Sequence, residues 1–398
     1  MIESSQKTPL ALKVKAHKKV FFPNLDALRF ICFLMVFLFH TYKTIFQNLK
    51  DTNHTAYSIT KFLFRNGELG VNFFFVLSGF LITFLLIKEK ESTGNIHLGN
   101  FYIRRILRIW PMFYLCIFIG FVVVPVLKSI AGHPSSEIAR PIYYFLFANN
   151  FDYIASWPAF PDALILIVLW SVAVEEQFYL TWPIFLKLIP KKYYQILFSL
   201  VVLLTLVFRA FHLNSTDHDY AVLHFHTFSV IGDMAIGGLM AYYCSYDSKF
   251  LKAISNLRKS IVILIYVGAS CLILFRNYLF EFPITALFER LFISIAFGLI
   301  ILEQNFNRNS LFKFSKFKNL SKLGLYTYGL YCLHFFVISL IQGGFDKIGL
   351  HISTLYESFI KAIVSLLGVI LICRLSYQYF EKPFLRLKDR FAFITKGE

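Results

Sequence analysis

Long apolar segments recur along the whole chain, and they constrain its fold more than any other feature of the sequence. Ten of them approach the roughly 20 residues that an α-helix needs to cross a bilayer. Only 16% of the 398 residues are charged, against about 25% in a typical soluble domain. We therefore predict an all-α, polytopic integral membrane protein with about ten transmembrane helices: 25–45, 69–88, 109–128, 166–187, 193–209, 224–245, 260–277, 283–303, 323–343 and 355–379.

Two further apolar segments, 141–151 and 158–170, are short or flanked by proline. The sequence leaves two alternatives open for them: a re-entrant piece, or an extension of the fourth helix. Neither alternative changes the number of predicted crossings.

The basic residues predict the orientation of these helices. Lys and Arg number 27 on the side of the N-terminus and 9 on the opposite side, with four more inside spans. Because cytoplasmic loops are enriched in Lys and Arg, both termini are expected in the cytoplasm, which requires an even number of helices. We expect a cytoplasmic tail at 1–24, a membrane domain at 25–380 and a second tail at 381–398, in the cytoplasmic (inner) membrane.

The same distribution argues against a nucleic-acid partner, although the net charge is +17. The positive charge is spread over the loops of one side rather than gathered on one polar domain. Residues 1–20 lack the apolar core of a signal peptide, so the first helix is expected to be an uncleaved anchor. The six cysteines lie in apolar segments and show no metal-ligand spacing, and we predict no metal site.

Charged groups inside spans are costly and are usually functional, and the first helix holds three polar candidates. Arg29 and His40 are eleven residues apart, which places them on one helix face about 16 Å apart along the axis. Asp26 lies one turn before Arg29 and is expected to pair with it. The structural alternative is an ion pair and a hydrogen-bonded histidine with no role in chemistry.

The third helix opens with Arg105 and Arg108, one turn apart on one face. Guanidinium groups match the geometry of phosphate, so the pair is a candidate clamp for an anionic group. A basic collar at the cytoplasmic edge of the membrane explains the two residues equally well.

Polar side chains also follow the fourth helix, where Ser171, Glu175 and Tyr179 are spaced i, i+4, i+8 and form one stripe. Glu176 points about 100° away, so the two carboxylates are expected to differ in role. Such a stripe inside an apolar helix favours a functional site over simple packing.

Two other helices carry weaker signals. Tyr331 and His334 in the ninth helix are i, i+3 neighbours, and a hydrogen-bonded core pair explains them as well as catalysis does. Ser78 and Gly79 in the second helix indicate close helix packing.

Together, these motifs resemble the membrane-bound acyltransferase 3 family, which includes O-antigen and exopolysaccharide O-acetyltransferases. The resemblance spans nearly the whole chain, and the matching blocks occur in family order: Leu25 to His40, Phe73 to Ile82, Arg104 to Tyr114, Trp170 to Pro183, and Leu323 to His334.

The resemblance implies a ten-helix core that moves an acyl group, commonly acetyl, from cytoplasmic acyl-CoA to a hydroxyl of a carbohydrate or glycolipid. The acyl-CoA is then a co-substrate and no cofactor is permanently bound. The resemblance assigns catalysis to His40 with Arg29 and the donor side to Arg105 and Arg108. Some members carry an additional soluble domain of the SGNH type; here the membrane part, alone or with partners, is expected to complete the chemistry.

As a mechanism, we expect His40 to act as the base for the acceptor hydroxyl. Glu175 is a candidate to hold the tautomer of that imidazole, although the sequence leaves open whether the two groups touch. Two other functions remain open: a transporter or flippase for a lipid-linked glycan, and a non-catalytic subunit of polysaccharide export.

Overall fold

The structure is a computed structural model that describes residues 22–213, 216–349 and 354–391. Within these ranges the secondary structure is entirely helical. Nine helical segments are long and apolar enough to cross a membrane, which confirms the all-α membrane fold: Pro23–Thr44, His54–Thr93, Leu98–Ile130, Leu164–Leu188, Lys191–Ala210, Asp217–Tyr246, Pro283–Phe306, Thr327–Lys347 and Leu355–Asp389.

A tenth span comes from a bent pair of helices, Ser248–Ser255 and Lys259–Leu274, which meet at 90°. Near the N-terminal end of the span, the Arg308 amide donates to the Ser255 carbonyl at 3.0 Å. At its C-terminal end, Asn66 Nδ2 donates to the Ile273 carbonyl at 2.7 Å. Lys259–Leu274 therefore connects the two ends of the bundle, and we count it as the seventh of ten spans.

Ten is the even number that the charge pattern requires, and the location of both ends of the membrane domain on one side of the bundle stays a prediction. The assignment of that side to the cytoplasm stays a prediction. The tail predicted at 1–24 lies almost entirely outside the described residues.

Several helices differ in length from the prediction. The third begins at Leu98 rather than near residue 109, so its basic residues lie inside the helix, one to three turns from its start. The last continues beyond residue 379 through a π-helical turn, Tyr377–Glu381, into Lys382–Asp389. The added turns of both helices contain polar residues, so they lie outside the apolar segments from which the spans were predicted.

The two short apolar segments, 141–151 and 158–170, adopt different structures. The first forms two short helices, Pro141–Phe145 and Asn149–Ser156. In the second, a turn of helix at Leu164–Ile167 leads directly into Leu169–Leu188, so this part extends the fourth span. The remaining short helices are Phe46–Asn48, Leu49–Thr52, Arg276–Leu279, Phe314–Lys316 and Lys318–Gly324.

The second and sixth spans approach each other closely through glycine. A Cβ added to Gly79 would lie 1.9 Å from the Met234 carbonyl oxygen, and one added to Gly237 would lie 2.1 Å from the Val76 carbonyl oxygen. No other residue fits these positions, as expected where membrane helices pack backbone to backbone. The close packing indicated by Ser78-Gly79 is therefore present, and it fixes the helix that carries Ser78.

Candidate active site

A cavity of about 190 Å³ opens among the first, second, third, fourth and ninth spans, toward the end of the bundle where the first span begins. We call it the inner cavity, since that end is predicted to face the cytoplasm. The predicted site residues that line it come from four separate helices: Arg29, Arg105, Arg108, Ser171, Glu175, Tyr179 and Tyr331.

The inner cavity is rich in positive charge. Arg29 pairs with Asp26 at 2.6 Å, as the sequence predicted. Arg105 lies over the ring of Tyr179 at 5.1 Å, and within the described residues neither Arg105 nor Arg108 forms an ion pair. Two guanidinium groups without a carboxylate partner make this cavity suited to a ligand that carries phosphate or carboxylate groups.

One carboxylate, Glu175, faces the arginines across the inner cavity. The Ser78 hydroxyl donates to Glu175 Oε1 at 2.6 Å, and the Tyr179 hydroxyl donates to Ser78 Oγ at 3.1 Å. Glu176 points elsewhere and accepts from Trp110 Nε1 at 3.0 Å. Glu175 and Tyr179 of the stripe are therefore joined through Ser78 in one hydrogen-bond network, and the two carboxylates have different surroundings.

A second cavity, also about 190 Å³, lies toward the opposite end of the bundle. We call it the outer cavity. Its polar and aromatic lining includes His40, Glu68, Trp170, Arg209, Tyr220, His224, Arg276, Glu289 and Arg290.

His40 forms the most informative contact of the outer cavity, because its partner fixes where its proton sits. His334 is completely buried, and its Nδ1 lies 2.6 Å from the Tyr331 carbonyl oxygen. A carbonyl only accepts, so His334 Nδ1 carries the proton and Nε2 carries a lone pair. His334 Nε2 lies 2.7 Å from His40 Nδ1, which must then be the donor. When both imidazoles are neutral, these assignments leave His40 Nε2 unprotonated.

The two cavities meet at Tyr331 and Val71, which line both of them. The Tyr331 and Ser171 hydroxyls are 2.7 Å apart at this boundary. Tyr331 thus lines both cavities, and His334, one turn further along the same helix, contacts His40 of the outer cavity.

Arg29 and His40 share the first helix but line different cavities. The eleven-residue spacing does not give them one ligand-binding surface, because each side chain lines its own cavity and the two cavities share only Val71 and Tyr331 among their lining residues. The candidate that touches His40 is His334, whereas the hydrogen bond of Glu175 goes to Ser78.

Several lining residues were not singled out from the sequence. Ser78 was interpreted only as a packing residue. Three charged groups of the outer cavity, Glu68, Arg209 and Arg276, lie at the ends of apolar segments, where charge is ordinary. The available signal was the pair Glu289 and Arg290, which are charged residues inside the predicted span 283–303.

Comparison with known proteins identifies the family of the chain. A family model described as an acyltransferase domain, of the acyltransferase 3 type, matches residues 22–374. The peptidoglycan O-acetyltransferase OatA of Listeria monocytogenes is 28% identical over 86% of this chain and 57% of its own length. The O-acetyltransferase OatA of Staphylococcus aureus is 26% identical over 96% of the chain and 60% of its own length. No solved structure matches the chain.

A putative O-acetyltransferase of Staphylococcus aureus is 31% identical over 57% of the chain, which corresponds to 36% of that protein. The chain thus spans less than two thirds of the length of these curated relatives. The family model, in contrast, covers both cavities and all ten predicted site residues. This chain therefore belongs to the acyltransferase 3 family of membrane-embedded acyltransferase domains.

Proposed function

We propose that the protein is an O-acetyltransferase of the cytoplasmic membrane, with acetyl-CoA as its co-substrate. The acetyl donor occupies the inner cavity, and a carbohydrate or lipid-linked glycan presents its hydroxyl in the outer cavity. The observation that carries the proposal is the pair His40–His334, which leaves an unprotonated imidazole nitrogen on a residue that lines the outer cavity.

The assignment of the inner cavity to the acyl donor is based on its positive charge. CoA carries several phosphate groups, and Arg105 and Arg108 line the inner cavity without an ion-pair partner among the described residues. The predicted orientation places this cavity on the side where acyl-CoA is made. Arginine forks bind phosphate oxygens in a bidentate manner, so the pair holds the nucleotide end while the thioester extends toward Tyr331.

The chemistry rests on His40. Its Nε2 takes the proton of the acceptor hydroxyl, and the hydroxyl oxygen attacks the thioester carbon. The carbon–sulfur bond then breaks, and the imidazolium returns the proton to the leaving thiolate, giving the ester and free CoA.

Developing charge on the thioester oxygen needs hydrogen-bond donors at the junction. The hydroxyls of Ser171 and Tyr331 lie there, 2.7 Å apart, and Tyr331 lines both cavities. We assign them this supporting role. His334 acts through His40 by holding its tautomer, the role for which the sequence made Glu175 the candidate.

The test is label transfer from radiolabelled acetyl-CoA to glycans or lipid-linked precursors, with the full chain in native membranes. Wild-type protein should move the label, and His40→Gln should lose on the order of 100-fold or more of the rate, because an amide cannot accept a proton at neutral pH. His133→Gln, in an exposed loop, is the matched control and should keep the wild-type rate.

Binding of CoA to purified protein separates chemistry from folding. His40→Gln should bind CoA as the wild type does. A transporter or export subunit would leave acetyl-CoA intact, and a folded His40→Gln variant with near wild-type transfer would refute the role of His40.

A further inference from the structure

The wall of the outer cavity contains three arginines, Arg209, Arg276 and Arg290, and among the described residues two of the three have acidic partners. Arg276 is held by Glu68 and by Glu289, each at 2.5 Å. Arg290 pairs with Asp233.

Arg209 differs from the other two. It is 6% exposed and forms no ion pair with any described residue. Its Nη1 donates to the Leu223 carbonyl at 3.2 Å and to Ser229 Oγ at 2.9 Å, and Nη2 lies 3.5 Å from the Ala286 carbonyl. Its Nε has no hydrogen-bond partner within the part of the chain that the structure describes.

A buried guanidinium with only neutral partners is unusual, because removing a charge from water is costly unless an opposite charge replaces the solvent. The acids of this wall do not fill that role. Glu68 and Glu289 both bind Arg276 and Asp233 binds Arg290, so no acid among the described residues forms an ion pair with Arg209. An anion in the cavity would supply the missing partner.

The rest of the lining fits a sugar. Trp170 and Tyr220 contribute aromatic rings, and Tyr220 is half exposed at the mouth, where its ring stacks on His224 at a centroid distance of 5.8 Å. Aromatic rings pack against the apolar C–H face of a pyranose, while a few charged groups orient its hydroxyls.

We propose that the outer cavity recognises an anionic glycan unit, in which a carboxylate or phosphate pairs with Arg209. The aromatic wall then holds the sugar ring, and the ring presents a hydroxyl to His40 Nε2. This inference rests on the proposed function, since it names the chemical class of the acceptor at the same site.

The experiment measures binding of three soluble sugars to the full chain in lipid nanodiscs: glucose, glucuronic acid and glucose 1-phosphate. Saturating CoA is present throughout, so that Arg105 and Arg108 are occupied and the added anions report on the outer cavity. Wild-type protein should bind at least one anionic sugar on the order of 10-fold more tightly than glucose. Tighter binding of glucuronic acid would indicate an acceptor with a carboxylate, and tighter binding of glucose 1-phosphate an acceptor with a phosphate.

Arg209→Gln should abolish this preference, while Arg209→Lys should keep part of it through the remaining charge. The matched control is Arg140→Gln, at the same end of the bundle, where the arginine pairs with Asp152 at 2.5 Å; it should keep the full preference. CoA binding confirms that each variant is folded.

Equal or absent binding of the three sugars by wild-type protein would overturn the inference, and so would a preference that survives Arg209→Gln. These results are separable from a failure of the proposed function. If label moves from acetyl-CoA to glycan but the anionic preference is missing, only the role of Arg209 is wrong.

Discussion

The inner and outer cavities have similar volumes and share Tyr331, yet their arginines are arranged differently. In the inner cavity, Arg105 and Arg108 are one turn apart on a single helix and have no ion-pair partner among the described residues. In the outer cavity, Arg276 and Arg290 come from separate helices and form ion pairs with acidic residues. The inner cavity thus offers open positive charge, whereas the outer one offers a rigid polar wall with one unpaired group.

This difference indicates how the two substrates are held. A polyanionic donor needs accessible cations more than it needs shape, because charge-assisted bonds to phosphate supply the affinity. A glycan acceptor must present one particular hydroxyl, so a wall of fixed ion pairs is better suited to orient it. The following predictions test that division, from the largest effect to the smallest.

The largest effect is all-or-none and concerns which cavity faces the cytoplasm. Ser92→Cys and Lys316→Cys, at exposed positions on the inner end, should be protected from an impermeant thiol reagent in intact cells. His133→Cys, exposed at the outer end, should be labelled. Labelling of either inner position from outside would reverse the assignment of donor and acceptor cavities.

The next largest effect is expected at His334, which holds the tautomer of His40 from within the core. His334→Phe removes the acceptor for His40 Nδ1–H and should lower the transfer rate on the order of 100-fold. His334→Gln retains an acceptor oxygen and should lose less. CoA affinity should be unchanged in both, because His334 does not line the inner cavity. Equal rates for Phe and Gln would show that the residue only packs.

A smaller effect, confined to the donor, is expected for Arg105→Ala with Arg108→Ala. Each charge-assisted bond contributes roughly 1.5–3 kcal/mol, so the KM for acetyl-CoA should rise at least about 10-fold. Binding of the acceptor should be unchanged. Unaltered donor affinity in the folded double variant would reduce the two arginines to a basic collar at the membrane edge.

The smallest effect should come from Glu175→Gln. The amide oxygen still accepts from the Ser78 hydroxyl, which lies 2.6 Å from the carboxylate, and only the charge is lost. We expect a change of a few-fold at most in transfer rate, well below that of His334→Phe. A loss as large as that of His334→Phe would restore Glu175 as the partner of His40 in a conformation that differs from this one.

The inner cavity was largely predictable because its residues follow local patterns. One-turn spacing placed Arg105 beside Arg108, and the i, i+4, i+8 stripe placed Ser171, Glu175 and Tyr179 on one face. Helix geometry makes such neighbours certain once the helix exists. The start of the third helix at Leu98 was missed because its first turns are polar.

By itself, the sequence determined the ten-helix membrane fold and the identity of its polar groups, because both depend on local hydropathy and on helical periodicity. Only the tertiary structure decided that Arg29 and His40 line separate cavities and that His334 is the partner of His40. It also assembled the outer wall from Glu68, Arg209 and Arg276, whose positions lie up to 208 residues apart. Contacts of that kind depend on how helices pack against each other, through close approaches such as the one at Gly79, and no spacing within a single helix encodes them.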